Sequence, residues 1–153
     1  MQTFLPFQDF TKSALCLDKR RCLKQVVEAQ QILNTLSGYS NAWKNHPAVR
    51  MWRSYEEALK HYYTVFYNIC SEVHKIQFKK LKLEQTAPNK TFDLPLWLSC
   101  PEVYSPDDLH YTHRCNLLRK AVINDDKKLM EALNSQSVHL DDHDITTPYY
   151  WPV

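Results

Sequence analysis

The sequence predicts an all-α protein, and three observations support this fold class. Apolar residues recur with helical periodicity along much of the chain, and capping residues precede several of these runs. The 153 residues include only one glycine, so there are few sites for the tight turns of all-β folds. Four Trp, nine Tyr and six Phe can fill a core of useful size. We expect a compact single all-α domain over residues 1–153, with about three long helices, several short helices, a long proline-containing loop and an aromatic C-terminal tail.

The first helices follow an extended apolar arm, Met1–Phe7. Asp9 is suited to cap a short helix over residues 10–17. A longer helix is predicted from Asp18 to Leu36, and Gly38 is a natural stop after it. Its predicted apolar face consists of Cys22, Leu23, Val26, Val27 and Leu33.

A loop over residues 39–47 leads into the middle of the chain. Pro47 suits the first turn of a short helix that runs through Trp52. The pattern Ser54-x-x-Glu57 is that of a capping box, and it predicts a core helix of about 25 residues over 54–78.

Prolines dominate the next stretch, and residues 80–104 show no helical period, so we expect a wrapping loop there. Ser105 followed by Pro106 predicts the start of a helix over residues 105–121. Asn124 is placed to cap another helix over residues 125–134. The tail, residues 146–153, is rich in aromatics and proline, and we expect it to be docked rather than to stack on nucleic-acid bases.

Several function classes are disfavoured by composition. With one glycine there is no glycine-rich phosphate loop, which disfavours dinucleotide-binding and P-loop enzymes. The five cysteines are odd in number and form no C-x-x-C pair, so a disulfide framework or zinc site is not expected. No leader or membrane segment is recognisable, and reduced thiols suit a cytoplasmic protein.

Charge is divided unevenly along the chain. Residues 1–90 contain 14 Lys or Arg and 7 Asp or Glu, whereas residues 91–153 contain 5 and 10. A basic half on a nearly neutral protein indicates an anionic partner. A dipolar surface without any partner is the alternative.

The helix from Asp18 carries the most informative constellation of side chains. Helical geometry predicts one polar face formed by Arg20, Arg21, Lys24, Glu28 and Gln31. Cations on this face can hold phosphates, while a carboxylate among them can stabilise an oxocarbenium ion at a sugar C1′ or move a proton. The simpler interpretation is a solvated helix face with i,i+4 ion pairs.

Two further groups of basic residues are candidates for anion binding. His46, Arg50 and Arg53 lie around the short Pro47 helix, where His46 could cap the helix or hold a phosphate. His113 and Arg114 lie on the helix after Ser105. His110 and His113 have a spacing that can bind a metal, but a third ligand is missing, and no metal is expected.

Several segments resemble the pyrimidine-dimer DNA glycosylases, the family of the phage endonuclease V. Residues 22–29, Cys-Leu-Lys-Gln-Val-Val-Glu-Ala, resemble the helix that bears the catalytic glutamate. Residues 45–52, Asn-His-Pro-Ala-Val-Arg-Met-Trp, resemble the His-Pro…Trp stretch. The later helices and the Tyr149-Tyr150-Trp151 end follow in the same order. The Met-Gln-Thr-Phe-Leu-Pro arm is similar to a branch of short bacterial and viral members.

The resemblance implies a helical, base-flipping enzyme that cuts an N-glycosidic bond in duplex DNA and then the strand. It implies that the terminal α-amine forms a Schiff base with C1′ and that Glu28 supports the sugar cation. The large Gln2 side chain predicts that Met1 is retained, which makes Met1 the nucleophile. This chemistry needs no metal or organic cofactor. Its partner is double-stranded DNA, without an obligatory protein partner or membrane, in the cytoplasm or on nucleoid or viral DNA.

The implied DNA-binding residues are basic side chains of the helix from Asp18, of the short Pro47 helix and its surroundings, and of the helix after Ser105. Val27 occupies the place of a family arginine, so Arg20 and Arg21 would supply phosphate contacts instead. The expected set is Arg20, Arg21, Lys24, His46, Arg50, Arg53, His113 and Arg114. A non-catalytic DNA-binding module on the same fold is the first alternative, and a helical protein-interaction domain is the second.

Overall fold

The computed structural model describes residues 1–79, 91–99 and 108–153, and every regular element in those ranges is helical. Three long helices, α2, α4 and α5, confirm the predicted all-α class. None of the helices in the described ranges combines the length and apolar character needed to cross a membrane. The α-helices are α1 (Phe10–Leu15), α2 (Lys19–Leu36), α3 (Pro47–Trp52), α4 (Glu56–Glu72), α5 (Leu109–Ile123) and α6 (Lys127–Ser135). Short 3₁₀ helices cover Leu96–Ser99 and Leu140–Asp142.

The chain groups into two units. The first unit consists of residues 1–3, 19–95 and 153, and it contains α2, α3 and α4. The second consists of residues 4–18 and 96–152, and it contains α1, α5 and α6. The expectation of one domain over the whole chain stays a prediction.

The core of the first unit forms where α2 packs along α4. Ile32 of α2 and Leu59 of α4 are fully buried on this side. Tyr62 stacks on Phe66 with ring centroids 4.1 Å apart, and Trp52 of α3 lies 5.9 Å from the Tyr62 ring. Burial of large aromatic and aliphatic side chains contributes roughly 1.5–3 kcal/mol each, so this seam fixes the position of α2.

Helix α4 is shorter than the sequence predicts. The capping-box prediction was wrong, because the N-cap is Tyr55, which makes no side-chain capping bond, and the helix begins at Glu56. It ends at Glu72 rather than near residue 78. Lys75 takes a left-handed φ of 53°, and the N–H of Ile76 donates to the carbonyl of Cys70 at 2.9 Å. This closure resembles a glycine-type helix end, but without a glycine in the sequence to mark it.

Capping residues in the second unit differ partly from prediction. Asp9 caps α1 as predicted, accepting the N–H of Lys12 at 2.7 Å. Asp108 caps α5 by accepting the N–H of His110. Asp126, rather than Asn124, caps α6, and Asn124 ends α5 instead. The predicted Ser105-Pro106 start and much of the 80–104 loop lie outside the described residues.

Candidate active site

Glu28 is buried on the inner side of α2, with 6% of its surface exposed. The predicted polar face was therefore wrong for Glu28, and so was the interpretation of this residue as part of a solvated face. Val27, expected in the apolar face, is 46% exposed instead. Gln25 and Glu28 are one turn apart and share the buried side with Val26 and Ala29. A carboxylate is rarely this buried unless polar groups stabilise it, and two such groups are present.

The first group is Lys24, whose Nζ lies 3.5 Å from Oε1 of Glu28. The second is the backbone N–H of Gln2, which donates to Oε2 of Glu28 at 2.6 Å. The i,i+4 spacing of Lys24 and Glu28 was recognisable in the sequence, whereas the contact with Gln2 spans 26 residues. The carboxylate is thus held between a cation and the N-terminal arm.

Thr3 fixes the same arm from its other side. Its side chain is fully buried, and Oγ1 accepts a hydrogen bond from Nε1–H of Trp52 at 3.0 Å. Glu28 and Trp52 therefore hold two successive residues of the arm, Gln2 and Thr3. The Met1 α-amine follows directly from this fixed pair, which places it in the immediate neighbourhood of the Glu28 carboxylate.

His46 lies within electrostatic range of both Met1 and Glu28. Partial burial lowers the pKa of His46, as does the positive charge of the Met1 α-amine, while the Glu28 carboxylate raises it. Nδ1 of His46 accepts the N–H of Ala48 at 3.1 Å, which caps α3 and confirms the capping interpretation. The neutral ring consequently carries its proton on Nε2.

A buried hydrogen bond supports α2 one turn before Glu28. The hydroxyl of Tyr62 donates to Oε1 of Gln25 at 2.8 Å. The Tyr62 ring also contacts Trp52, which holds Thr3. Glu28 and the arm are thereby supported by neighbouring side chains of one packed cluster in the first unit.

The basic candidates of the first unit lie at its surface or are half-buried. Arg20, Lys24, Arg50 and Arg53 are exposed, whereas Arg21 is half-buried. Nη2 of Arg53 donates to the carbonyl of Lys44 at 3.3 Å, which ties the loop before α3 to the end of that helix. All of these side chains belong to the same unit as Glu28 and Met1.

His113 and Arg114 belong to the second unit and are buried. Nδ1 of His113 accepts the N–H of Leu5 at 2.8 Å, and burial lowers the pKa of His113 to about 3. Arg114 donates from Nη1 to the carbonyl of Pro6 at 2.8 Å and from Nε to Nε2 of His143 at 3.0 Å. We assign both residues to the internal framework of this unit and leave them out of the proposed DNA-binding set.

The His110–His113 spacing is likewise explained by internal packing. The two ring nitrogens of His110 lie 2.8 Å from the carbonyl oxygen of Leu5 and 3.0 Å from that of Leu98. Among the residues that the structure describes, no three His, Cys, Asp or Glu side chains are grouped as metal ligands would be.

Two features of the site were missed from the sequence. The Thr3–Trp52 bond joins residues 49 positions apart, and no local pattern predicts it. Tyr39 and Trp43, in the loop before α3, are 89% and 60% exposed. The signal for the second feature was available, because both aromatics lie in a loop where no helical period would bury them.

Comparison with protein families supports the resemblance found in the sequence. Residues 1–75 match the family model described as pyrimidine dimer DNA glycosylase. The matched residues include the N-terminal arm, α2, α3 and α4, and hence Met1, Glu28 and His46. Comparisons with curated proteins and with solved structures find no match. Membership of a particular bacterial or viral branch stays a prediction.

Proposed function

We propose that the protein, whose residues 1–75 match the pyrimidine dimer DNA glycosylase family model, excises a damaged or modified base from duplex DNA, using Glu28 and the Met1 α-amine. One observation carries this proposal. The backbone N–H of Gln2 is hydrogen-bonded to the buried Glu28 carboxylate at 2.6 Å, so the chain terminus and the carboxylate are held side by side.

The proposed chemistry begins with a nucleotide turned out of the helix. The Met1 amine first gives up the proton that makes it cationic and then bonds to C1′ as the N-glycosidic bond breaks, while the departing base takes the electron pair and a proton. Loss of an amine proton and opening of the sugar ring give a Schiff base. Removal of a C2′ proton then expels the 3′ phosphate, and water hydrolyses the imine to free the enzyme.

Glu28 is suited to two parts of this sequence. Its carboxylate can stabilise positive charge that develops at C1′, and it can accept or return a proton. Its burial strengthens both effects, because a carboxylate away from water acts on neighbouring charge through a lower effective dielectric. The Gln2 N–H and Lys24 orient the carboxylate through a hydrogen bond and an ion pair, and neither contact transfers a proton to it.

The basic side chains of the first unit would hold the DNA backbone. Arg50 and Arg53 lie on and just after α3, whose N-cap His46 is in electrostatic range of Met1. Arg20, Arg21 and Lys24 lie on the same helix as Glu28. Phosphate contacts from these side chains would fix the position of the duplex, while the site around Glu28 would act on the nucleotide.

Trapping with borohydride tests the proposed mechanism. The protein is incubated with duplexes that carry an abasic site, a uracil, an oxidised base or an ultraviolet dimer, and borohydride is then added. A covalent adduct that maps to the Met1 amine, together with base release that is lost in Glu28→Gln, is the expected result. Base release without an adduct would support the glycosylase activity and contradict the proposed lyase step.

Gln2 favours a second candidate, a DNA-binding module that has lost catalysis. The resemblance implies a nucleophile at a terminus from which the initial Met has been removed, and the large Gln2 side chain opposes that removal. This candidate predicts salt-dependent binding to duplex DNA but no base release from any of the four substrates. Binding that is weak and indifferent to DNA would contradict both candidates.

A further inference from the structure

We propose that the loop between α2 and α3 inserts the Trp43 ring into the DNA base stack beside the flipped nucleotide. The inference rests on the proposed function and adds the element that opens the duplex. A nucleotide leaves the helix only if stacking and pairing energy is replaced, and an aromatic side chain can supply that replacement.

Exposure first distinguishes Trp43 from the other tryptophan of the region. Trp52 is fully buried, whereas Trp43 is 60% exposed, and Tyr39 on the same loop is 89% exposed. Burial of an aromatic ring ordinarily stabilises a fold, and the exposed rings of Tyr39 and Trp43 do not contribute this stabilisation. An exposed indole ring has the flat surface on which any base can stack.

Backbone conformation is the second observation. Trp43 has a φ of 65°, in the left-handed region that bulky side chains rarely occupy. Strain of this kind persists where the surroundings fix it. Here the surroundings do fix it, since the N–H of His46 donates to the Trp43 carbonyl at 2.8 Å.

The rest of the loop is also tied to the helices. Oγ1 of Thr35 donates to the carbonyl of Ala42 at 3.0 Å, and Arg53 donates to the carbonyl of Lys44. These bonds anchor the chain on both sides of residue 43. Trp43 is consequently presented on an anchored turn, which reduces the entropy lost when the ring enters a base stack.

Position relative to the site is the third observation. The Trp43 and His46 rings meet edge to face, with centroids 5.8 Å apart. His46 in turn is in electrostatic range of the Met1 amine and Glu28. The exposed ring therefore lies on the same part of the first unit as the groups proposed to act on C1′.

Charge identifies DNA as the occupant of this surface. Residues 29–55 contain Lys44, Arg50 and Arg53 but no Asp or Glu. A segment that combines exposed aromatic rings with cations and contains no carboxylate matches a phosphate backbone with stacked bases.

The test uses a duplex in which a tetrahydrofuran residue replaces the target nucleotide, so that no chemistry is possible. A 2-aminopurine beside that residue reports insertion of the ring, because an aromatic ring stacked on 2-aminopurine quenches its fluorescence. Trp43→Gly removes the ring and suits the left-handed backbone, so folding should be preserved. We expect the wild type to bind this duplex more tightly than an intact one and to decrease the fluorescence.

Trp43→Gly should lose about 10-fold or more in affinity for the tetrahydrofuran duplex, with little change for intact DNA and an unchanged salt slope. Trp43→Phe should recover much of the loss. Ile123→Ala, at a 73% exposed residue of the second unit, is the matched control and should change neither affinity. Arg50→Ala should weaken binding to both duplexes and lower the salt slope.

Three outcomes would contradict the proposed insertion of the Trp43 ring. They are a wild type without preference for the tetrahydrofuran duplex, a Trp43→Gly variant that keeps the preference, and an equal loss on both duplexes. The glycosylase proposal fails on different results, namely absence of base release and of a borohydride adduct. The two proposals can therefore fail separately.

Discussion

The backbone nitrogen of Gln2 lies 2.6 Å from Oε2 of Glu28 and donates a hydrogen bond to it. This contact joins the chain terminus to a carboxylate that is 6% exposed. It means that whichever α-amine ends the chain, that of Met1 or that of residue 2, is held near the same carboxylate. Several consequences of this arrangement can be measured.

Glu28→Gln should reduce base release by about 100-fold or more, because it removes the negative charge and the proton acceptor while keeping the side-chain shape. Single-turnover assays on the best substrate measure this directly. Glu57→Gln is the matched control, since Glu57 is a half-exposed carboxylate of the same unit that pairs with Lys60 at 2.6 Å. Equal rates for Glu28→Gln and Glu57→Gln would contradict a chemical role for Glu28.

Gln2→Ala should move the nucleophile by one residue. A small side chain at position 2 permits removal of Met1, and the new α-amine is then the nitrogen that lies 2.6 Å from Glu28 in the full chain. Intact-mass measurement should show loss of Met1, and the borohydride adduct should map to the new terminal amine at position 2. An adduct on a lysine side chain in either protein would argue against an α-amine nucleophile.

Local sequence patterns predict the fold here better than they predict the site. Asp9, Pro47 and Gly38 mark helix ends correctly because each acts on its own neighbouring backbone. The end of α4 was missed since Lys75, not glycine, takes the left-handed conformation there. A chain with a single glycine must place other residues at such turns, and these leave no compositional signal.

The sequence identified Glu28 as a site residue through its type and the family resemblance, but it did not predict that Glu28 is buried. Helical periodicity assigned it to a solvated face, because a carboxylate next to lysine and arginine has the pattern of a surface ion pair. Its burial depends on Gln2, which is 26 residues away. His113 and Arg114 were predicted to bind DNA, and the structure places them on α5, where most side chains are buried.

Trp52→Phe should weaken both the fold and the proposed catalytic step. The variant loses the hydrogen bond from Nε1 to Thr3, which costs about 0.5–1.5 kcal/mol of the free energy of unfolding. Release of the arm should also lower the yield of borohydride adduct at low substrate concentration. Thr3→Val removes the same bond from its other end, and the double variant should lose less than the sum of the two. Additive losses would show that the bond does not position the arm.

The surface cations should contribute separately to DNA affinity. Arg50→Ala and Arg53→Ala should each reduce the log–log salt slope of duplex binding by roughly 0.9 if each side chain contacts one phosphate. Lys128→Ala, in the acidic part of the chain, provides the control and should leave the slope unchanged. Affinity that falls without a change in slope would indicate a structural effect rather than a phosphate contact.

The pH dependence of stability should be governed in part by His113. Burial, followed by the charges of His110 and Arg114, lowers its pKa from 6.5 to about 3 in the folded state. Between these two values the unfolded chain binds a proton that the folded protein excludes. The free energy of unfolding should therefore decrease as the pH falls below 6.5, by up to about 1.4 kcal/mol per pH unit from this residue.

Urea unfolding between pH 4 and 8 measures this dependence. His113→Asn removes the titrating group and leaves a side-chain carbonyl that can accept the Leu5 N–H, so its stability should vary less steeply with pH while being lower at pH 7. Some acid dependence should remain, because burial also lowers the pKa of His143. The exposed His139 serves as the control, and a His113→Asn profile as steep as that of His139→Asn would contradict the assignment.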